Sequence, residues 1–314
     1  MAIPIISRMR AQAALLIFFL VVVVSSDSAL ALSGAKPNEL SVLSYNVHGL
    51  SWVFAHDNPR ARSPTIGWLA NKYDVVLFQE DFEYHDEIAD QMEGSTAFRG
   101  NDMRMDVPLV AAKVLLFPFW LLIPDFSPPY GSGLTTFVDS YLTQPSEVTV
   151  QAYDDCHGWF SDNWNCWASK GFVRVRIRLP NHAEVDIYQT HLDAGHKEGS
   201  IAARLNQLDA LARAVEELST DRAVIIGGDF NTPYYRPKDR AAILDFRERL
   251  SLQDSGAAPQ LPWWRERDYL LFRNGSRTKL VVLEAGEASE FVNQNLALSD
   301  HPALFARFRV EREP

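Results

Sequence analysis

The strongest constraint in this 314-residue chain is a repeated one: short β-forming apolar runs meet an acid, an amide or a histidine at one end. Asn46 follows Val42-Leu43-Ser44-Tyr45, Glu80 follows the run beginning Val75-Val76-Leu77-Phe78, and His191 follows Val185 to Gln189. Asp229 and Asn231 come just after Val224 to Ile226, Asp268 opens a Tyr-Leu-Leu-Phe run, and Asp300-His301 precede Leu304 to Val310. Taken singly, each has an ordinary reading as a turn residue, a cap or a hydrogen-bonded surface group. Recurrence at strand ends implies more, because side chains there converge on one rim of a sheet, where loop-borne sites are built.

These runs, with Phe172 to Ile177, are predicted strands. Amphipathic helical patterns interleave with them. The clearest sets Ile201, Leu205, Leu208, Leu211, Val215 and Leu218 on one face, with Asn206, Arg213 and Glu217 opposite. Alternating strands and helices predict an α/β architecture. With 47% hydrophobic residues the chain can build a substantial core. Without an internal repeat or a Gly/Ser-rich linker, residues 32–314 are expected to form one domain.

Residues 1–31 stand apart. Arg8 and Arg10 precede an apolar run from Ala13 to Val24, and Ala29-Leu30-Ala31 supplies a small-x-small cleavage site. An apolar core of about twelve residues falls short of the roughly 20 that span a bilayer, so a cleaved signal peptide is expected rather than an anchor. The protein is then secreted or periplasmic. In an oxidising compartment Cys156 and Cys166 are expected to form a disulfide, two buried thiols being the alternative. The formal charge of −10 grows by one negative unit when Arg8, Arg10 and Asp27 leave with the leader. Such a surface binds polyanions poorly unless divalent cations supply the missing positive charge.

One further segment breaks the pattern. Val107 to Pro124 is almost wholly apolar but carries Lys113 and Pro118, which argue against a membrane span. It is either buried core or a surface that enters a lipid interface through Phe117, Phe119 and Trp120. We treat it as an insert at about 107–130.

The strand-end residues suit phosphate-ester cleavage, which needs a cation, a base for water and a donor for the leaving oxygen. Hard ions such as Mg²⁺, or Mn²⁺, favour the oxygens of Glu80, Asp229 and Asp300 together with Asn46 and Asn231. A zinc site would draw on HExxH or a Cys/His cluster, and Ser-based hydrolysis on a GxSxG elbow. Neither is present, nor is a P-loop.

In order, LSYNVHGL, FQED, THLDAG, GGDFNT, RDYLLF and LSDHPAL resemble the endonuclease/exonuclease/phosphatase superfamily, which includes DNase I-like nucleases, inositol polyphosphate phosphatases and neutral sphingomyelinases. The resemblance runs from Ser41 to about Val310. It implies a four-layer α/β sandwich, two packed mixed β-sheets flanked by helices. It also implies Glu80 as principal metal ligand with Asn46 beside it and Asp300 at the metal or its water shell. Asp229 and Asn231 would position the nucleophile, His301 would act as general base held by Asp268, and His191 would donate to the phosphate or the leaving oxygen. Arg267 departs from the pattern, standing where the family often has an apolar residue.

CWASKGFVRVRI, with Arg204 and Gln207 in AARLNQLDAL, resembles the secreted sphingomyelinase-like branch. The expected substrate is therefore a phosphodiester, preferably of a lipid, with peripheral membrane contact and a monomeric enzyme. A secreted DNase I-like endonuclease acting on nucleic acid, a soluble phosphatase, and a non-catalytic binding module on the same fold are the alternatives.

Overall fold

The computed structural model describes residues 38–51, 55, 57–101, 131–159, 162–257, 267–293 and 296–313. The leader at 1–31 and the insert bearing Phe117, Phe119 and Trp120 lie outside the described residues. The first sheet is built from β1 (Glu39–Asn46), β2 (Val75–Gln79), β3 (Ser95–Arg99), β4 (Thr135–Asp139), β11 (Thr278–Glu287) and β14 (Leu304–Arg312), in the order β11-β14-β1-β2-β4-β3. The second contains β5 (Thr143–Ala152), β6 (Gly171–Arg178), β7 (Glu184–His191), β8 (Ala223–Asp229), β9 (Gln253–Asp254) and β10 (Asp268–Arg273), in the order β5-β6-β7-β8-β10-β9. A short ribbon pairs β12 (Val292–Asn293) with β13 (Leu296–Ala297).

Strand alternation sorts the apolar residues into three layers. Val42, Leu77, Ile187 and Ile225 point between the sheets and are fully buried. Each such side chain contributes about 1.5–3 kcal/mol relative to an exposed one. Leu43, Tyr45, Val76 and Phe78 face the other way, against Ile66 and Ala70 of α1 (Pro59–Ala70) and Ile88 of α2 (His85–Ala89). Tyr188, Val224 and Ile226 pack on Leu208, Leu211 and Val215 of α3 (Glu198–Leu218) and on Ile243 and Phe246 of α4 (Pro237–Arg249). The result is the expected sandwich of two mixed sheets between helices.

The α3 stripe differs from its sequence pattern at one point. Leu205 is exposed, and Arg204 is buried beside it. Its guanidinium donates to Asp239 Oδ1 and to the carbonyls of Asp193 and Gly195, so a cation that hydrophobic periodicity assigns to solvent is satisfied inside. That network fastens α3 to the loop after His191.

Topology makes the rim. The central pairs β1–β2 and β7–β8 are parallel, so Asn46, Gln79, His191 and Asp229 end side by side. The antiparallel neighbours β10 and β14 begin at that same end, bringing Asp268 opposite Asp229 and the Asp300-His301 turn next to β1. Beneath the rim the sheets come very close. A Cβ on Gly227 would stand 2.6 Å from Leu77 Cδ1, and this accounts for glycine before Gly228-Asp229.

Candidate active site

Asn46 is the hub of the rim. Fully buried, it places Nδ2 3.0 Å from Glu80 Oε1, 3.3 Å from Asp229 Oδ2 and 3.4 Å from His301 Nε2. Its Oδ1 accepts from the backbone N–H of His48 at 3.0 Å. In this arrangement the amide serves the two carboxylates as a donor, and its oxygen turns away from them.

His301 lies between two acids. Its Nδ1 is 2.9 Å from Asp268 Oδ2, and its Nε2 is 3.6 Å from Asp229 Oδ2. Burial disfavours the imidazolium, but the charges of Asp268 and Asp229 overcome that and push the pKa up to about 9. Burial likewise raises the Asp229 carboxyl to about 6, with His301 opposing and Asp268 assisting.

His191 Nε2 is 2.7 Å from Lys170 Nζ, 3.5 Å from Asp229 Oδ2 and 3.9 Å from Glu80 Oε1. Burial and then the neighbouring Lys170 hold its pKa well below the ordinary imidazole range. A neutral imidazole accepting from Lys170 at Nε2 carries its own proton on Nδ1. Burial also lowers Lys170, against the pull of Glu80, Asp193 and Asp229. Burial would raise Glu80, yet His48 at 3.4 Å, then His191 with the Lys170 ammonium beside it, and the Asn46 amide together hold it far below the usual carboxylate range.

Asn231 has left-handed backbone, φ 50°, and donates from Nδ2 to the carbonyl of Leu192 at 3.0 Å. Asp300 is the outlying member. More than half exposed, it stands 3.5 Å from His48 Nδ1 and 3.9 Å from Arg267.

Glu80, Lys170, His191, Asp229, Asn231 and His301 line a cavity of about 450 Å³, to which Leu50, Phe82, Trp164, Trp167 and Ala168 add an apolar lining. The expected disulfide between Cys156 and Cys166 closes the loop that carries Trp164 and ends next to Trp167. Asn165 clamps that loop to Ala194 through hydrogen bonds of 2.9 and 2.8 Å. Gln207 supports the same region, joining Asp193 to the carbonyl of Asp155.

Lys170 and His48 are among the cavity residues that escaped the candidate set drawn from sequence. Lys170 stands in the KG pair that marks the sphingomyelinase-like segment, immediately before β6, whose first residue pairs with His191. His48, two residues beyond Asn46, reaches Glu80 Oε2 at 3.4 Å only because its own backbone turns left-handed, φ 48°.

The donor set fits a divalent cation. Ligand atoms of Glu80, His191 and Asp229 all lie within 4.8 Å of one another, as do those of Asp229, Asp268 and His301. Glu80 Oε2 is buried, and His48 Nδ1 approaches it only to 3.4 Å, a weakly satisfied position that a cation would relieve.

Two mixed sheets packed face to face, with this rim between them, define the DNase I-like class of fold. The chain belongs to the Endonuclease/Exonuclease/phosphatase family, which it matches over residues 43–301. It is 29% identical over 285 residues to a sphingomyelinase of Mycobacterium tuberculosis, covering 85% of this chain and 52% of that protein. The chain thus spans about half the length of that relative. D. rerio TDP2 complexed with a single-strand DNA product has the same fold, with TM-score 0.62, 15% identity, and coverage of 86% of this chain and 98% of that one. So does a Staphylococcus aureus beta toxin variant with bound magnesium ions, with TM-score 0.58, 16% identity, and coverage of 85% and 99%.

Proposed function

We propose that the chain is an exported, Mg²⁺-dependent phosphodiesterase of the sphingomyelinase type. The observation that carries the hydrolytic reading is the convergence of Glu80, Asp229 and the His301–Asp268 pair on the Asn46 amide. The likeness to a sphingomyelinase supports lipid as substrate. So does the apolar lining of Leu50, Phe82, Trp164 and Trp167, which suits the uncharged part of a lipid phosphodiester.

A divalent cation held by Glu80, with Asn46 joining on rotation of its amide and Asp300 in the water shell, would neutralise phosphate charge. Asp229 and Asn231 orient the attacking water. With a bound cation taking over the charge of the neighbouring carboxylates, His301 would be neutral and would remove the water's proton at Nε2 while Asp268 fixes the imidazole through Nδ1. The His191–Lys170 pair donates toward the phosphate or the leaving oxygen, the proton being held on the Lys170 ammonium that His191 Nε2 meets at 2.7 Å. A cleaved leader exports the monomeric enzyme, and the apolar insert at 107–124 brings it to the lipid.

A panel of sphingomyelin, lysophospholipid, plasmid DNA and inositol phosphates, each assayed with Mg²⁺ and with EDTA, tests this reading. Sphingomyelin turnover abolished by EDTA is expected. Preferential cleavage of DNA would replace it with the nuclease reading, which the TDP2 likeness in fold leaves standing.

A further inference from the structure

Glu80 adopts left-handed backbone, φ 56°. Asn and His tolerate that region well, but for a residue such as glutamate it is strained, and it persists only where the surroundings impose it. Strand alternation shows what the strain achieves. Val76 and Phe78 face the helices of the first sheet, and a straight continuation would carry Glu80 to that same side. The left-handed turn brings its carboxylate back to the rim instead.

What imposes the turn sits mainly at the next residue. Asp81 is buried, outside the catalytic cavity, and tied at both main chain and side chain. Its N–H donates to Gly133 O at 2.9 Å. Its Oδ2 accepts from Thr135 Oγ1 of β4 and from His85 Nδ1 of α2, each at 2.6 Å. The His85 ring is itself stacked on Phe137, with centroids 6.1 Å apart. On the other side, Gly49 and Phe82 both donate to the Glu80 carbonyl at 2.9 Å, and a Cβ on Gly49 would stand only 2.6 Å from that oxygen. Asp81 Oδ1 is buried with no partner, a cost that core packing alone does not explain.

We propose that Asp81, locked by Thr135 and His85, is a positioning residue that aims Glu80 at the cation site. This rests on the reading of Glu80 as metal ligand. Thr135→Val and His85→Phe each delete one tie while keeping the shape of the side chain, and Thr135→Ser restores the hydroxyl.

The test is Mn²⁺ binding to the full chain, followed by electron paramagnetic resonance, with the melting temperature in chelator measured alongside. Loss of groups that orient a ligand typically weakens metal affinity about 10- to 100-fold, and the double variant is expected to fall in that range. Each single variant should shift affinity in the same direction, and Thr135→Ser should bind like the parent. If the double variant does not fold, the single variants decide. Parental Mn²⁺ affinity with only a lower melting temperature would make the lock purely structural and overturn the proposal. Glu80→Gln is the control: loss of affinity there, with the lock variants unchanged, sinks only the positioning role, whereas unchanged affinity in Glu80→Gln sinks the metal reading itself.

Discussion

Asp229 and Asp268 face each other directly across the antiparallel pair β8–β10, and the imidazole of His301 reaches both. Like charges opposite one another weaken a sheet, so the strand pair is built to need a cation between them. In the metal-free protein that cation is the imidazolium of His301, whose pKa of about 9 follows from the two carboxylates once they overcome burial.

A stability profile follows from this. The folded pKa of His301, about 9, lies above the ~6.5 of an unfolded chain. Its contribution is therefore complete below pH ~6.5 and disappears as pH rises through about 9. Asp229, raised to about 6, acts in a lower window, between pH ~4 and 6. Urea midpoints in EDTA should fall between pH 6.5 and 9 by up to about 3 kcal/mol of stability, and His301→Gln should flatten that decline. An equally steep decline in His301→Gln would assign the effect to other groups.

As general base, His301 is expected to account for about 10²- to 10⁴-fold in kcat, the usual yield of positioned acid–base catalysis. His301→Ala should lose that much with its circular dichroism unchanged. Asp268→Asn should approach the same loss by freeing the imidazole tautomer. A folded His301→Ala that keeps near-parental rates would remove this role.

Lys170→Met separates donation from mere burial. With Nζ 2.7 Å from His191 Nε2, the ammonium both depresses the histidine and supplies a donor to the site. Removing it should reduce kcat by about 10²- to 10³-fold, as loss of a donor to developing charge does. It should also move the NMR-monitored pKa of His191 back toward the ordinary imidazole value. An unmoved His191 titration would contradict the coupling.

The apolar insert supplies a test of lipid contact. Phe119→Ser with Trp120→Ser should reduce binding to liposomes and hydrolysis of vesicle-borne lipid, while turnover of a small soluble phosphodiester stays near parental. Equal losses on both substrates would point to a core segment and away from the membrane.

Much of this arrangement is legible in the sequence because its main signals are local. A run such as Val75 to Phe78, buried on both faces, is continuously apolar, and the polar residue that ends it marks the rim. Edge strands send a weaker signal: in β5, Val148 and Val150 are exposed, and β3 is half exposed, so neither separates cleanly from a loop. Leu205, expected on the core face, is exposed, and Arg204 is buried beside it because its guanidinium is satisfied by Asp239, 35 residues away. His48 and Lys170 join the site through a left-handed turn and a cross-strand register, neither of which hydrophobic periodicity encodes.

The central claim, that this rim is a metal-dependent phosphodiesterase site governed by Glu80, is tested most directly by hydrolysis of bis(p-nitrophenyl) phosphate after exhaustive dialysis against EDTA, with Mg²⁺ or Mn²⁺ then restored, in the parent and in Glu80→Gln. The parent should lose all activity in chelator and regain it with either ion, and Glu80→Gln should need far more metal and turn over more slowly at saturation. Full activity of the parent in EDTA, or a parental metal requirement in Glu80→Gln, would contradict it.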